Sequence, residues 1–223
     1  MSPSTTPSRR AKPSAPKATT VLLVRHGQTP STGTTLPGRA KGLHLADTGR
    51  AQAEAAAARI AKLDKVTAVY ASPLERTRET AAPIAAGLGL RVKTDRGLLE
   101  ADFGDWTGRA LKELARLPEW KTVQRYPSGF RFPGGESFTE MQTRITATLA
   151  KLAAAHRGET IVAVSHADPI KAALADAFGT HLDLFQRIVV SPCSVSAIWY
   201  GDSGPVVLTA NSTGDDLTTL GLS

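Results

Sequence analysis

The chain of 223 residues predicts an α/β fold with parallel strands, and three short apolar runs are the reason. Val21-Leu22-Leu23-Val24, Val66-Thr67-Ala68-Val69-Tyr70-Ala71 and Thr160-Ile161-Val162-Ala163-Val164-Ser165 are near-continuous rather than alternating, as strands buried on both faces are. Each is followed by a segment with helix signals, the order that builds parallel strands joined by crossover helices. Each also ends beside polar or charged residues, and open α/β sheets hold ligands in the crevice at strand carboxyl ends. The length suits one such domain with a sizeable core, expected over residues 20–211.

Taken in order, residues 1–19 contain Ser, Thr, Pro, Ala and basic residues but no acid, and are expected to be a disordered tail. Arg9, Arg10, Lys12 and Lys17 account for four of the seven net positive charges, so the basicity says little about nucleic acid. A transit peptide would also be acid-free, but this segment lacks an amphipathic apolar face. The first strand ends in Arg25-His26-Gly27. An isolated histidine is more often a satisfied core residue than a catalyst. A neighbouring guanidinium that needs an anion, and a glycine that lets something approach the backbone, favour chemistry here.

A long alanine-rich helix is expected from Leu45 to about Leu63, capped by Asp47 or Thr48. After the second strand, Pro73 starts a helix from about Leu74 to Ala86 that stops at Gly87. Arg76 falls in its first turn, facing the crevice, while Arg78, two residues on, points elsewhere. A strand follows near Arg91 to Thr94. The loop from Gly97 to Gly108 places three carboxylates among glycines and two aromatics. Glu100, directly after an apolar strand end, is the candidate proton donor, its pKa raised if the aromatics desolvate it. Asp102 and Asp105 suit capping or solvent.

From Ala110 to Pro133, Leu111, Leu114, Leu117, Trp120 and Val123 fall at helical spacing, followed by Phe130 and Phe132. This region is expected to form a lid over the crevice and to supply substrate-selecting contacts. A helix from Glu136 to Ala155 precedes the third apolar run, which ends at His166. Asp168 as cap and Pro169 at the first helical position then open a helix through Ala177, whose exposed N–H groups favour an anion. Ile188 to Tyr200 reads as a strand region, Ser194–Tyr200 and Val206–Ala210 as an antiparallel end to the sheet, and residues 212–223 as a C-terminal tail.

The single cysteine, Cys193, argues for a reducing cytosol and against a disulfide scaffold, with burial as its expected role. No apolar run reaches the ~20 residues of a membrane span, and no signal-peptide core is present. There is no internal repeat, and no basic stripe interleaved with aromatics of the kind that binds nucleic acid. Oligomeric state is not readable from these residues.

Arg25-His26-Gly27, Ser72-Pro73-Leu74-Glu75-Arg76, Glu100 ahead of Phe103-Gly104-Asp105-Trp106-Thr107-Gly108, and Ser165-His166 together resemble the histidine phosphatase superfamily, the phosphoglycerate mutase-like proteins. One such tripeptide alone is weak; the four motifs in order, across residues 20 to 211, are specific. Phe132-Pro133-Gly134-Gly135-Glu136-Ser137 and Gly179-Thr180-His181-Leu182-Asp183 look most like an actinobacterial branch of phosphomutases and phosphatases. The resemblance implies a three-layer α/β/α sandwich around a mostly parallel sheet. It implies His26 as a nucleophile forming a phosphohistidine, and Arg25, Arg76 and His166 as the clamp on the phosphoryl oxygens. Glu100 would be acid and then base, with no metal or other cofactor. Gly27, Gln28, Thr29, Thr32, Arg39, Lys41 and Ala167 would line the substrate site.

Two positions depart from the family pattern. Thr32 stands where many members have asparagine, although a hydroxyl can still donate. Ala167 follows the second histidine where glycine is usual, and would be strained if that position needs positive φ. Arg39, Lys41, Arg109 and Arg131 are cations available for a second anionic group on the substrate, or are solvated surface charge. The segment from Glu100 to His166 is shorter than phosphoglycerate mutases usually have, and their Ser-x-Trp-Asn continuation after Arg-His-Gly is absent. The expected activity is therefore hydrolysis of a small phosphorylated metabolite. A phosphomutase is the alternative within the family, and a non-catalytic phospho-ligand or protein-binding module the alternative outside enzymes.

Overall fold

The computed structural model describes residues 18–214 and 216–220. Nearly all of the expected N-terminal tail therefore lies outside the described residues. Six strands, β1 (Thr19–Arg25), β2 (Val66–Ala71), β3 (Val92–Thr94), β4 (Thr160–Ser165), β5 (Val195–Gly201) and β6 (Gly204–Ser212), form one sheet in the order β3-β2-β4-β1-β5-β6. Pairs β3/β2, β2/β4 and β4/β1 are parallel, whereas β5 and β6 close the far edge antiparallel. The helices are α1 (Asp47–Ile60), α2 (Glu75–Gly87), α3 (Leu111–Leu114), α4 (Pro118–Arg125), α5 (Phe138–Ala155) and α6 (Ala167–Ala177).

Strand alternation divides the core. Val21 and Leu23 of β1 with Ile161 and Ala163 of β4 pack against α5 and α6, while Leu22, Val24, Val162 and Val164 pack against α1 and α2. Both faces of the central strands are covered, which is why their sequences are continuous apolar runs. The architecture is thus the three-layer α/β/α sandwich with a mostly parallel sheet.

Several helix starts differ from the sequence reading, for tertiary reasons. The α1 cap is Ala46, with Asp47 and Thr48 inside the first turn. The Thr48 hydroxyl is drawn to Gln28 Oε1 at 2.9 Å, and Ala46 N–H donates to the Gln28 carbonyl. Pro73 stands before the α2 cap, Leu74, rather than inside the helix. The α6 cap is His166, so Asp168 and Pro169 are the second and third helical residues, where a proline's missing N–H is still harmless. Helix α5 begins at Phe138, fixed by a reciprocal capping box between Ser137 and Glu140, which leaves Glu136 outside the helix.

Ile188–Ser194 is a loop rather than strand, with buried Cys193 at a φ of 55°. The region expected as a lid is partly core. Phe130 and Phe132 pack edge to face against each other and, with Trp106 and Phe138, fill the space beneath α5. At the C-terminus, β6 runs to Ser212, and Leu217 beyond it is buried against the second core layer. No helix among the described residues is long and apolar enough to cross a membrane.

Candidate active site

Strands β1 and β4 lie side by side in parallel, with Arg25 level with Ser165. His26 and His166, each one residue past a strand end, therefore emerge together. Their rings meet edge to face with centroids 5.2 Å apart. His26 N–H donates to the Ser165 carbonyl at 3.0 Å, which locks the two exits to each other.

The His26 ring is held by its Nδ1, 2.8 Å from the carbonyl of Gly27. Donation from Nδ1 leaves Nε2 unprotonated, the nucleophilic tautomer. Burial first, and then the Arg76 and Arg25 charges, depress its pKa to about 3 against the partial compensation of that hydrogen bond, so the ring is neutral at pH 7. Gly27 is required by packing. A Cβ there would stand 2.4 Å from the Gly49 carbonyl, and one on Gly49 would stand 2.0 Å from that of Gln28. The close approach read from Gly27 is that of the start of α1.

His166 is fully buried, and desolvation above all holds its pKa well below the usual value. Its Nε2 is 2.9 Å from the Ser72 hydroxyl, while Nδ1 has no hydrogen-bond partner in the protein. Two guanidiniums complete the group. Arg76 is fully buried and donates through Nη2 to the Gly38 carbonyl at 2.7 Å, leaving Nε and Nη1 unpartnered. Arg25 donates through Nη1 to the Val190 carbonyl at 2.7 Å and has an unpartnered Nε. Buried cations without matching acceptors are costly, and donors left this way around a nucleophilic nitrogen fit a dianionic ligand.

Glu100 faces the same cavity, 8% exposed, with one oxygen accepting from Ala101 N–H at 2.9 Å. Desolvation, then the Asp168 charge, raise its pKa to about 7 against the opposing pull of that hydrogen bond, Arg76 and Arg25. A carboxyl half-protonated near neutrality can both give and take a proton. The cavity has a volume of about 410 Å³. Beyond Arg25, His26 and Glu100 it has an apolar wall of Leu36, Phe103, Leu111, Ile188 and Val189, and a polar end formed by Asp168, Lys171 and Gln186. A larger depression of about 840 Å³ beside α2 is lined by His44, Glu75, Arg78 and Glu79 and by neither of the paired histidines, so Arg78 does face elsewhere. Among the described residues no cluster of His, Cys, Asp and Glu is arranged to hold a metal ion.

Of the other residues expected at the substrate site, Thr29, Thr32 and Ala167 line the cavity. Thr32 accepts from Thr29 N–H at 2.9 Å, and Ala167 is the first residue of α6 and so free of the strain considered for it. Gln28 is engaged with α1, Lys41 is exposed on the surface, and Arg39 is turned to protein acceptors behind Glu100. Arg131 pairs with Glu140, and neither it nor Arg109 lines the cavity. Sequence reasoning gave Ser72 no role beyond its motif and Asp168 none beyond a helix cap, and it passed over Lys171. Ser72 stands at a strand carboxyl end, which is the signal that would have found it.

The chain belongs to the histidine phosphatase superfamily (branch 1), whose pattern matches residues 21–213. It is 36% identical over 200 residues to the bifunctional protein Rv2228c of Mycobacterium tuberculosis, covering 88% of this chain and 54% of that protein. It thus spans about half the length of that protein and of its like-sized mycobacterial counterparts. Phosphoserine phosphatase 1 of Hydrogenobacter thermophilus is 29% identical over 206 residues, 86% of this chain and 92% of its own. The solved structure of Bacillus stearothermophilus YhfR superposes with a TM-score of 0.82 at 25% identity, over 88% of this chain and 98% of that one.

Proposed function

We propose that this protein hydrolyses a small phosphorylated metabolite through a phosphohistidine on His26, without a metal. The observation that carries this is the set of partnerless buried donors, Arg25 Nε, Arg76 Nε and Nη1, and His166 Nδ1, grouped with a neutral His26. They offer fixed positive charge and hydrogen bonds to the equatorial oxygens of a transferring phosphoryl group, work that a metal ion does elsewhere. With Ser72 as the donor to His166 Nε2, the His166 ring carries its proton on the unpartnered Nδ1, as a donor to the phosphoryl group requires.

In the first step His26 Nε2 attacks phosphorus, the ester P–O bond breaks, and the Glu100 carboxyl protonates the departing oxygen. In the second, the Glu100 carboxylate takes a proton from water, whose oxygen displaces His26 and releases inorganic phosphate. The leaving group occupies the cavity between the apolar wall and the polar end at Lys171. The catalytic domain is residues 20–211, and buried, unpaired Cys193 accords with a reducing cytoplasm.

Phosphate release from a panel of phosphomonoesters in chelator, by the wild type and by His26→Ala, tests the reading. Turnover lost in the variant, with an acid-labile phosphoenzyme trapped in the wild type, is the expected result. Turnover only with a bisphosphate primer would identify a phosphomutase. Phosphate binding without turnover under either condition would identify a binding module and overturn the proposal.

A further inference from the structure

The acid segment lies outside the sheet, yet the carbonyls of four consecutive residues in it are held by side chains. Arg144 Nη1 donates to Gly97 at 2.8 Å and to Leu99 at 2.9 Å, Ser165 Oγ donates to Leu98 at 2.8 Å, and Glu100 accepts from Arg39 Nε at 2.8 Å and Arg144 Nη2 at 3.3 Å. Glu136 joins the two guanidiniums. Its Oε2 accepts from Arg39 Nη2 at 2.9 Å and Arg144 Nη2 at 2.8 Å, and its Oε1 accepts from Arg144 Nε at 2.9 Å.

These partners come from three separate parts of the chain. Arg39 is on the loop whose Gly38 carbonyl holds Arg76, Glu136 immediately precedes the capping box of α5, and Arg144 is on α5 itself. The fit is tight. A Cβ on Gly97 would stand 1.9 Å from Thr148 Oγ1, and one on Gly135 would stand 2.3 Å from the Asp102 carbonyl. Buried carbonyls need donors, but a strand or a turn could supply them. Two charged forks bridged by one carboxylate fix position and direction at once, as a single point contact does not.

We propose that Arg144, Glu136 and Arg39 form a positioning frame that sets the Glu100 carboxyl at the leaving-group oxygen. The inference rests on the reading of Glu100 as the acid. The frame works through geometry: the charges that shape Glu100's own titration are those of Asp168, Arg76 and Arg25 on the cavity side.

The test compares kcat/KM for glycerol phosphate, whose alkoxide needs a proton to leave, with 4-nitrophenyl phosphate, whose phenolate does not. Glu100→Gln is expected to lower the first by about 10² to 10⁴ and the second far less. Arg144→Lys keeps the charge without the fork, and Glu136→Gln weakens the bridge. Each is expected to lower the alkyl ester by about 10- to 100-fold and the aryl ester by less than about threefold, because misplacement by about 1 Å costs on this scale. Melting transitions confirm the fold, and Arg39→Gln, the most solvent-accessible of the three, replaces any variant that does not fold. Parallel losses on both esters, or no loss on either, in a folded frame variant would overturn the frame while Glu100→Gln still separates the esters. If Glu100→Gln fails to separate them, the acid assignment falls and the proposal with it.

Discussion

Replacing Arg76 by methionine should abolish activity without weakening the fold. Arg76 is fully buried, and its one hydrogen bond in the protein runs from Nη2 to the Gly38 carbonyl. The replacement orphans that carbonyl, a cost of about 1–2 kcal/mol. It also removes a buried cation with two unpartnered nitrogens, and substituting apolar volume for buried charge commonly returns about 1–4 kcal/mol. Glu100, raised toward neutrality already, can protonate rather than remain an unpaired anion. The net change is about −1 to +3 kcal/mol, or about −4 to +12 °C in Tm for a chain of this size. Each donor to a transferring phosphoryl group is worth about 10² to 10³, so kcat/KM should fall by at least about 10³. Thermal melting in phosphate-free buffer beside kinetics on one phosphomonoester reads both. Vanadate at about 100 times its Kd should stabilise the wild type by about 2.7 kcal/mol and leave the variant unmoved. A drop in Tm of more than about 4 °C without ligand would make Arg76 a structural cation and refute the reasoning. So would kcat/KM within tenfold of the wild type.

Because the pKa of Glu100 is raised to about 7, the protonated acid is depleted above that pH. For an alkyl phosphomonoester log kcat/KM should therefore fall with unit slope on the alkaline side, and Glu100→Gln should lose that limb in a pH-rate profile. His26, neutral down to about pH 3, should contribute no acid limb of its own between pH 4 and 7. Gly27→Ala forces a methyl group to 2.4 Å from the Gly49 carbonyl, and should lower stability by about 1–3 kcal/mol in urea unfolding while displacing His26 enough to cut kcat. Lys171→Met removes the cation at the polar end of the cavity, where Nζ lies 3.1 Å from Gln186 and 3.6 Å from Asp168. It should lower kcat/KM about tenfold for a carboxylate-bearing ester relative to a neutral one of similar size, an ordinary yield for one charge-assisted contact. Equal losses on the two would place Lys171 outside substrate selection.

The histidines, Arg25 and Arg76 were legible because strands buried on both faces write themselves as uninterrupted apolar runs, and parallel pairing brings their ends to one place. Helix caps were less so. Thr48 reads as a cap by type, and only the tertiary approach of Gln28 diverts its hydroxyl. Cations were the least legible. Arg39 is expected at the substrate site from the sequence and Lys171 is not, yet Arg39 serves acceptors within the protein and Lys171 lines the cavity. What decides is the acceptor each finds, and for Arg39 those acceptors lie 61 and 97 residues away.

That separation has a physical consequence for the site. Of the proposed clamp, Arg25 and His166 stand at the ends of β1 and β4, which the sheet's hydrogen bonds hold side by side, while Arg76 is on α2 with its Nη2 on the Gly38 carbonyl. Glu100 is outside the sheet, and side chains from the loop at Arg39 and from α5 set its backbone instead. The strand-end members of the proposed clamp and the proposed acid are thus set largely by different parts of the fold, joined where Ser165 donates to the Leu98 carbonyl and where the Gly38 carbonyl holds Arg76. On the proposed roles, substitutions at Glu136 and Arg144 would move the acid relative to the phosphate, and so adjust which leaving groups are protonated, while the sheet and its strand-end residues stay as they are.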